Sequence, residues 1–154
     1  MATRSTIALE YADGTIGQIY CHWDGYLEHN GSILFKHYVD PFKTRELMDL
    51  GDLSSLRPTI GEKHAFSQFD LPKEDAEAFV NLTRDMCTFY GRDRGETGTT
   101  AKSFKDYADY EQNLQHEEYA YILRKDGYWY VKAHEGAFEL LRDALANCKE
   151  EEMA

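Results

Sequence analysis

Long apolar runs are missing from this sequence. None approaches the roughly 18 consecutive residues that a membrane-spanning helix needs, so no membrane partner is expected. Proline is scarce, at 3 in 154 residues, which argues for strands and packed helices over an extended linker protein. Cysteine is equally scarce. Cys21, Cys87 and Cys148 are odd in number, far apart and each set in an apolar pattern. That predicts free buried thiols in a reducing compartment, not a disulfide framework. The first residues run directly into a strand pattern without the apolar core of a signal peptide, so a cytoplasmic location is expected. Basic charge is also short: 17 Lys and Arg stand against 28 Asp and Glu, for a net charge of −11. Phosphates would be repelled, and direct nucleic-acid binding is not expected. The acidity reads either as a solvated surface or as a face that mimics nucleic acid towards a protein partner.

The familiar catalytic signatures are absent as well. There is no Gly-x-Ser-x-Gly elbow, no His-Glu-x-x-His, no Cys-x-x-Cys, no Gly-x-Gly-x-x-Gly and no His-x-Thr pair. A hydrolase would have to assemble its residues from isolated positions. No cofactor is implied, and a binding role is favoured over catalysis.

What is present describes one α+β domain over residues 1–149, followed by an acidic tail, 150–154, expected to fray. Alternation over residues 6–11 and 16–23 brackets Asp13-Gly14, and alternation over 119–124 and 128–132 brackets Asp126-Gly127. Both read as β-hairpins with tight turns. Asn30-Gly31-Ser32 and Asp40-Pro41 open short helices, the second stopping at Gly51. Residues 52–70 read as loop with one short strand. Ala76, Phe79, Val80, Thr83, Met86, Cys87 and Tyr90 follow helical spacing, so one long buried helix is predicted from Pro72 to Gly91. A polar loop over 91–103, a short helix starting near Phe104 and a closing helix through Leu141 and Leu145 complete the chain. The expected architecture is an antiparallel sheet of the two hairpins with helices packed on one face, and hairpin-then-helix at both ends raises the question of an internal repeat.

Three places are candidates for chemistry. At the end of the second strand stands His22-Trp23-Asp24-Gly25-Tyr26. Strict alternation would turn His22 away from Trp23 and towards Asp24, giving an acid–base pair beside a stacking wall of Trp23 and Tyr26. The second is the loop at 91–103, where Arg92, Arg94, Lys102 and Lys105 form the densest basic cluster in an acidic chain, among three glycines and several hydroxyls. Guanidinium forks and flexible backbone donors suit phosphate oxygens, although the spacing is not that of a Walker loop. The third is His116-Glu117-Glu118 with His134-Glu135, two His/Glu pairs whose spacing does not specify a metal, and no metal is expected.

The segments Thr3-Arg4-Ser5-Thr6-Ile7-Ala8, Tyr20-Cys21-His22-Trp23-Asp24-Gly25-Tyr26 and Tyr90-Gly91-Arg92-Asp93-Arg94-Gly95-Glu96 resemble a family of small proteins of bacteriophages and phage-bearing bacterial genomes. The likeness runs nearly end to end. The family carries no assigned activity, so no catalytic residue transfers. The resemblance implies a phage accessory protein in the host bacterial cytoplasm, of a kind that often counters host defences. The leading expectation is a binding protein for a small phosphorylated or nucleotide-like ligand, with Arg92, Arg94 and Lys102 on phosphate and Trp23 or Tyr26 on a base. The alternatives are an acidic inhibitor of a host protein and a small hydrolase using His22 and Asp24. A homodimer is a further expectation, from exposed sheet edges and many tyrosines.

Overall fold

The computed structural model describes residues 3–114, 118–134 and 136–153. Strands β1 (Ser5–Glu10) and β2 (Ile16–Cys21) pair antiparallel, joined by a turn in which Gly14 takes φ +91° and Thr15 donates to the Asp13 carboxylate through both its N–H and its hydroxyl. A π-helical turn at Leu27–Gly31 leads into α1 (Ser32–His37), and α2 (Pro41–Leu50) follows. Asp40 caps α2 by accepting the Phe42 N–H at 2.9 Å, with Pro41 in the first turn, where its missing N–H costs nothing. Next come β3 (Leu53–Ser55), α3 (Ala76–Thr83), β4 (Thr88–Phe89), α4 (Tyr90–Arg94), β5 (Lys102–Phe104) and α5 (Tyr107–Gln112). The antiparallel pair β6 (Tyr119–Leu123) and β7 (Trp129–Ala133), then β8 (Glu139–Leu140) and α6 (Leu141–Met153), close the chain.

All eight strands join one sheet, ordered β4-β3-β2-β1-β6-β7-β8, with β5 also pairing to β2. The sheet is mixed, not antiparallel as expected: β1 runs parallel to β6 and β2 parallel to β3. The two hairpins meet through their first strands, running the same way, and β3 adds to β2 after two helices; alternation within each strand encodes neither choice. Strands β3 and β5 share one edge of β2, β3 at Cys21 and β5 at residues 16–18. The outermost strands, β4 and β8, are two residues each and offer little edge for pairing with a second chain.

Helices cover both faces, which corrects the one-faced layering. Ile7, Leu9, Ile19, Tyr121 and Val131 face the larger core with Leu34 of α1, Leu47 of α2 and Leu141 of α6. Ala8, Ile16 and Ile122, displaced by one residue along their strands, face Tyr110 of α5. This also answers the question of a repeat. The rotation that superposes the first hairpin on the second, keeping β1 and β6 parallel, must exchange the faces of the sheet. The helices after the hairpins, α1 and α6, nevertheless pack on the same face, so the ends are not copies of one unit.

The long helix predicted from Pro72 to Gly91 is broken into pieces. Its helical part, α3, buries no residue, and of the predicted stripe only Cys87, beyond α3, is buried in the core. Phe89 is fully buried where β4 pairs with β3, and Cys87, just before β4, is fully buried with its N–H donating to the Thr59 carbonyl. Two alternating buried residues are too short a signal to compete with a seven-position stripe that fits helical spacing by coincidence. Among the described residues, no helix is long and apolar enough to cross a membrane.

Candidate functional site

The first two of the three motifs singled out in the sequence are built differently from the expectation. Past Cys21, strand alternation stops, and Asp24 adopts φ +58°. The His22 and Trp23 rings therefore meet edge to face at 4.8 Å instead of pointing apart. His22 Nδ1 pairs with the Tyr20 hydroxyl at 2.8 Å, and no hydrogen bond or ion pair joins His22 to Asp24 among the described residues. The predicted acid–base dyad is not formed. What holds this corner is Asn30, buried under it, whose amide donates to Ser5 Oγ and to the Trp23 carbonyl. Trp23 and Tyr26 keep exposed ring surface.

Arg92 is not a free cation. Its Nε–H donates to Asp93 Oδ1, one terminal nitrogen to the carbonyls of Ile60 and Gly61, and the other to the Cys87 carbonyl and Asp93 Oδ2, at 2.8–3.2 Å. A guanidinium has five N–H groups, and these five bonds leave none for a phosphate. The helix α4 that carries it replaces the first part of the expected loop. Arg94 is different: its side chain is largely exposed, 4.0 Å from Glu96 and over the Phe66 ring. The third candidate lies partly outside the described residues, at His116, Glu117 and Glu135. Among the described residues no cluster could hold a metal ion.

The rest of the loop builds a cavity that neither motif predicted. After Gly95, whose φ of +74° ends α4, the chain passes over the face of β1 and β2 and returns as β5. Gly51, at φ +88°, lets it come close: a Cβ there would strike the Thr99 carbonyl. Asp52 fixes the approach. Its N–H donates to the Thr99 carbonyl at 2.8 Å, its carbonyl accepts the Tyr90 N–H at 3.2 Å, and its carboxylate accepts the Tyr20 N–H at 2.9 Å.

Beneath this arch is a cavity of about 240 Å³. Thr6, Gln18 and Tyr20 of the hairpin line it together with Asp52, while Gly98, Thr100 and Lys102 are at its exposed rim. Thr6 and Gln18 are 2% and 4% exposed, and Thr6 Oγ1 and Gln18 Oε1 have no hydrogen-bond partner among the described residues. Such groups normally find one, because an unpaired buried polar atom costs about 1–3 kcal/mol. Burial pushes the Asp52 carboxyl above its ordinary value and Glu96 adds to the rise, while the Tyr20 N–H and Lys102 oppose it. Tyr20 links the cavity to His22 through its hydroxyl. Of the residues proposed from sequence, Lys102 lies at the cavity, His22 one hydrogen bond away, and Arg92, Arg94, Trp23, Asp24 and Tyr26 are not among its lining.

Thr6, Gln18 and Asp52 carried no sequence signal of this kind. The first two sit at outward positions of a hairpin, which reads as a solvent face until a loop from eighty residues further on covers it. No family model matches the chain, and neither a curated protein nor a solved structure is found to be similar to it.

Proposed function

We propose that this chain is a binding protein for a small nucleotide-like ligand, held in the cavity between the first hairpin and the loop before β5. One observation carries the reading: two buried polar groups of the hairpin lack partners at the inner end of a cavity whose rim holds a lysine. Lys102 and the Thr100 hydroxyl favour an anionic group at the mouth. The inner groups and Asp52 favour hydrogen-bond donors inside. At about 240 Å³ the cavity is smaller than the pockets of roughly 300 Å³ and above that enclose drug-sized ligands, so it suits part of a nucleotide, with the remainder at the surface. Capture by such a protein, as an accessory factor of a phage acting against a host defence in the bacterial cytoplasm, rests on the resemblance of the three sequence segments. His22 pairs with Tyr20 and not with Asp24 among the described residues, so that pair lends the hydrolase alternative no support.

Thermal denaturation against mono-, di- and cyclic nucleotides tests this. At least one is expected to raise the melting temperature of the wild-type chain, by an amount that grows with concentration. Lys102→Ala should remove most of that rise, whereas Arg92→Lys should alter stability and not the ligand response of the folded fraction. A panel that leaves the wild-type transition unmoved rejects the reading.

A further inference from the structure

The ligand's orientation follows from the order of groups along the cavity. Thr6 and Gln18 are at the buried end, on adjacent strands where Thr6 pairs with Tyr20 and Ala8 with Gln18. Lys102, the register partner of Gln18 on β5, is at the exposed end. A phosphate pushed inwards would meet the Gln18 carbonyl oxygen and the Asp52 carboxylate, both acceptors, and would leave the lysine behind. The inner end therefore asks for an uncharged group with its own N–H donors. A carboxamide beside a hydroxyl can pair with such a group at two points, as glutamine does with the polar edge of adenine. Tyr20 adds an aromatic side chain to the lining, which suits a flat ring.

We propose, resting on the reading of this cavity as a nucleotide-like ligand site, that the ligand enters base first and that Thr6 and Gln18 are its specificity-determining residues. They hydrogen-bond the edge of the base, and the phosphate remains outside at Lys102. The cost of two unpartnered polar atoms in the free protein is then a consequence of keeping the base-reading groups in place.

Isothermal titration of the full chain with AMP, GMP, CMP, UMP, ribose 5-phosphate and inorganic phosphate tests this. At least one nucleoside monophosphate should bind tenfold or more tightly than ribose 5-phosphate or phosphate. Thr6→Val and Gln18→Leu should each weaken that binding at least tenfold while raising the melting temperature of the free protein by about 3 °C, since each deletes a buried group without a partner. Ribose 5-phosphate binding as well as the nucleotides would overturn the base-first orientation and leave the cavity as a ligand site. Variants that bind like wild type, or that melt lower, would also overturn it, the latter by showing that the two groups hold the fold. If no probe binds at all, the ligand reading falls and this inference with it.

Discussion

Among the described residues, the buried polar cluster around Asp93 is complete and the one beneath the loop before β5 is not. Around Asp93, whose side chain is fully buried, the carboxylate accepts the backbone N–H groups of His64 and Phe89 and two bonds from Arg92. Arg92 in turn holds three backbone carbonyls from two other segments. Every strong donor there has an acceptor. Under the loop before β5, Thr6 and Gln18 are buried to the same degree and lack partners. Polar groups inside a protein raise stability only when their bonds are made, so a complete cluster specifies the fold and an incomplete one marks a place where stability was not the constraint. The comparison reverses the expectation from sequence. The arginine that looks like a phosphate ligand is structural, while the unremarked threonine and glutamine are open, as is the Tyr110 hydroxyl elsewhere in the fold.

The largest test of this contrast is Asp93→Ala. It would leave a buried guanidinium without its counterion and two backbone N–H groups unpaired. Removing one partner of such a pair costs about 3–5 kcal/mol, which urea denaturation of the variant should show as a lower midpoint. A loss below about 1 kcal/mol would mean that the Arg92 bonds to carbonyls hold the region without the carboxylate. Thr6→Val, at the other cluster, is expected to change stability in the opposite direction. The two signs together separate a complete polar cluster from an incomplete one.

Gly51→Ala should have an intermediate effect. Its φ of +88° is strained for any side chain, and the added Cβ would meet the Thr99 carbonyl. A cost of about 1–3 kcal/mol is expected from the backbone alone. Because Thr99 also accepts the Asp52 N–H, the loop should lift from β2, and amide exchange at Asp52 should accelerate more than exchange in β6. Equal acceleration in both places would mean that the loop and the sheet open as one unit.

What the sequence disclosed follows the same division between local and distant causes. Turn residues and alternation within strands are local, and β1, β2, β6 and β7 were each legible from them. The cap at Asp40 and the stop at Gly51 were legible for the same reason. Misreadings came where a distant contact decides. Cys87 fits a helical stripe, but the chain there is drawn out beside Thr59 and on into β4, which pairs with β3. The Asp93 cluster draws on segments about thirty residues away, so Arg92 in isolation looks like a cation in search of an anion. Lys102, which lines the cavity, is conspicuous in the sequence as a basic residue in an acidic chain. Gln18 is not conspicuous, because what covers it is the loop that Lys102 ends.

The smallest expected effect concerns Asp52 and carries a definite sign. Burial raises its carboxyl in the folded chain above the value of an exposed aspartate, 3.8. The native state then holds this proton more tightly than the unfolded chain does. Across the interval from that ordinary value up to the raised one, stability falls as pH rises, and the penalty is in full force at neutral pH. Asp52→Asn removes the charge, and the carboxamide oxygen can still accept the Tyr20 N–H. The variant should therefore melt slightly above wild type at pH 7, and the advantage should vanish as pH is lowered below the ordinary aspartate range. Measuring both proteins across pH and taking the difference cancels Glu10 and Asp13, whose carboxyls are shifted down and act in the reverse sense. An advantage that grows on acidification would mean that the Tyr20 N–H and Lys102 outweigh burial, making Asp52 part of the fold's complete polar clusters instead of the cavity's unfinished one.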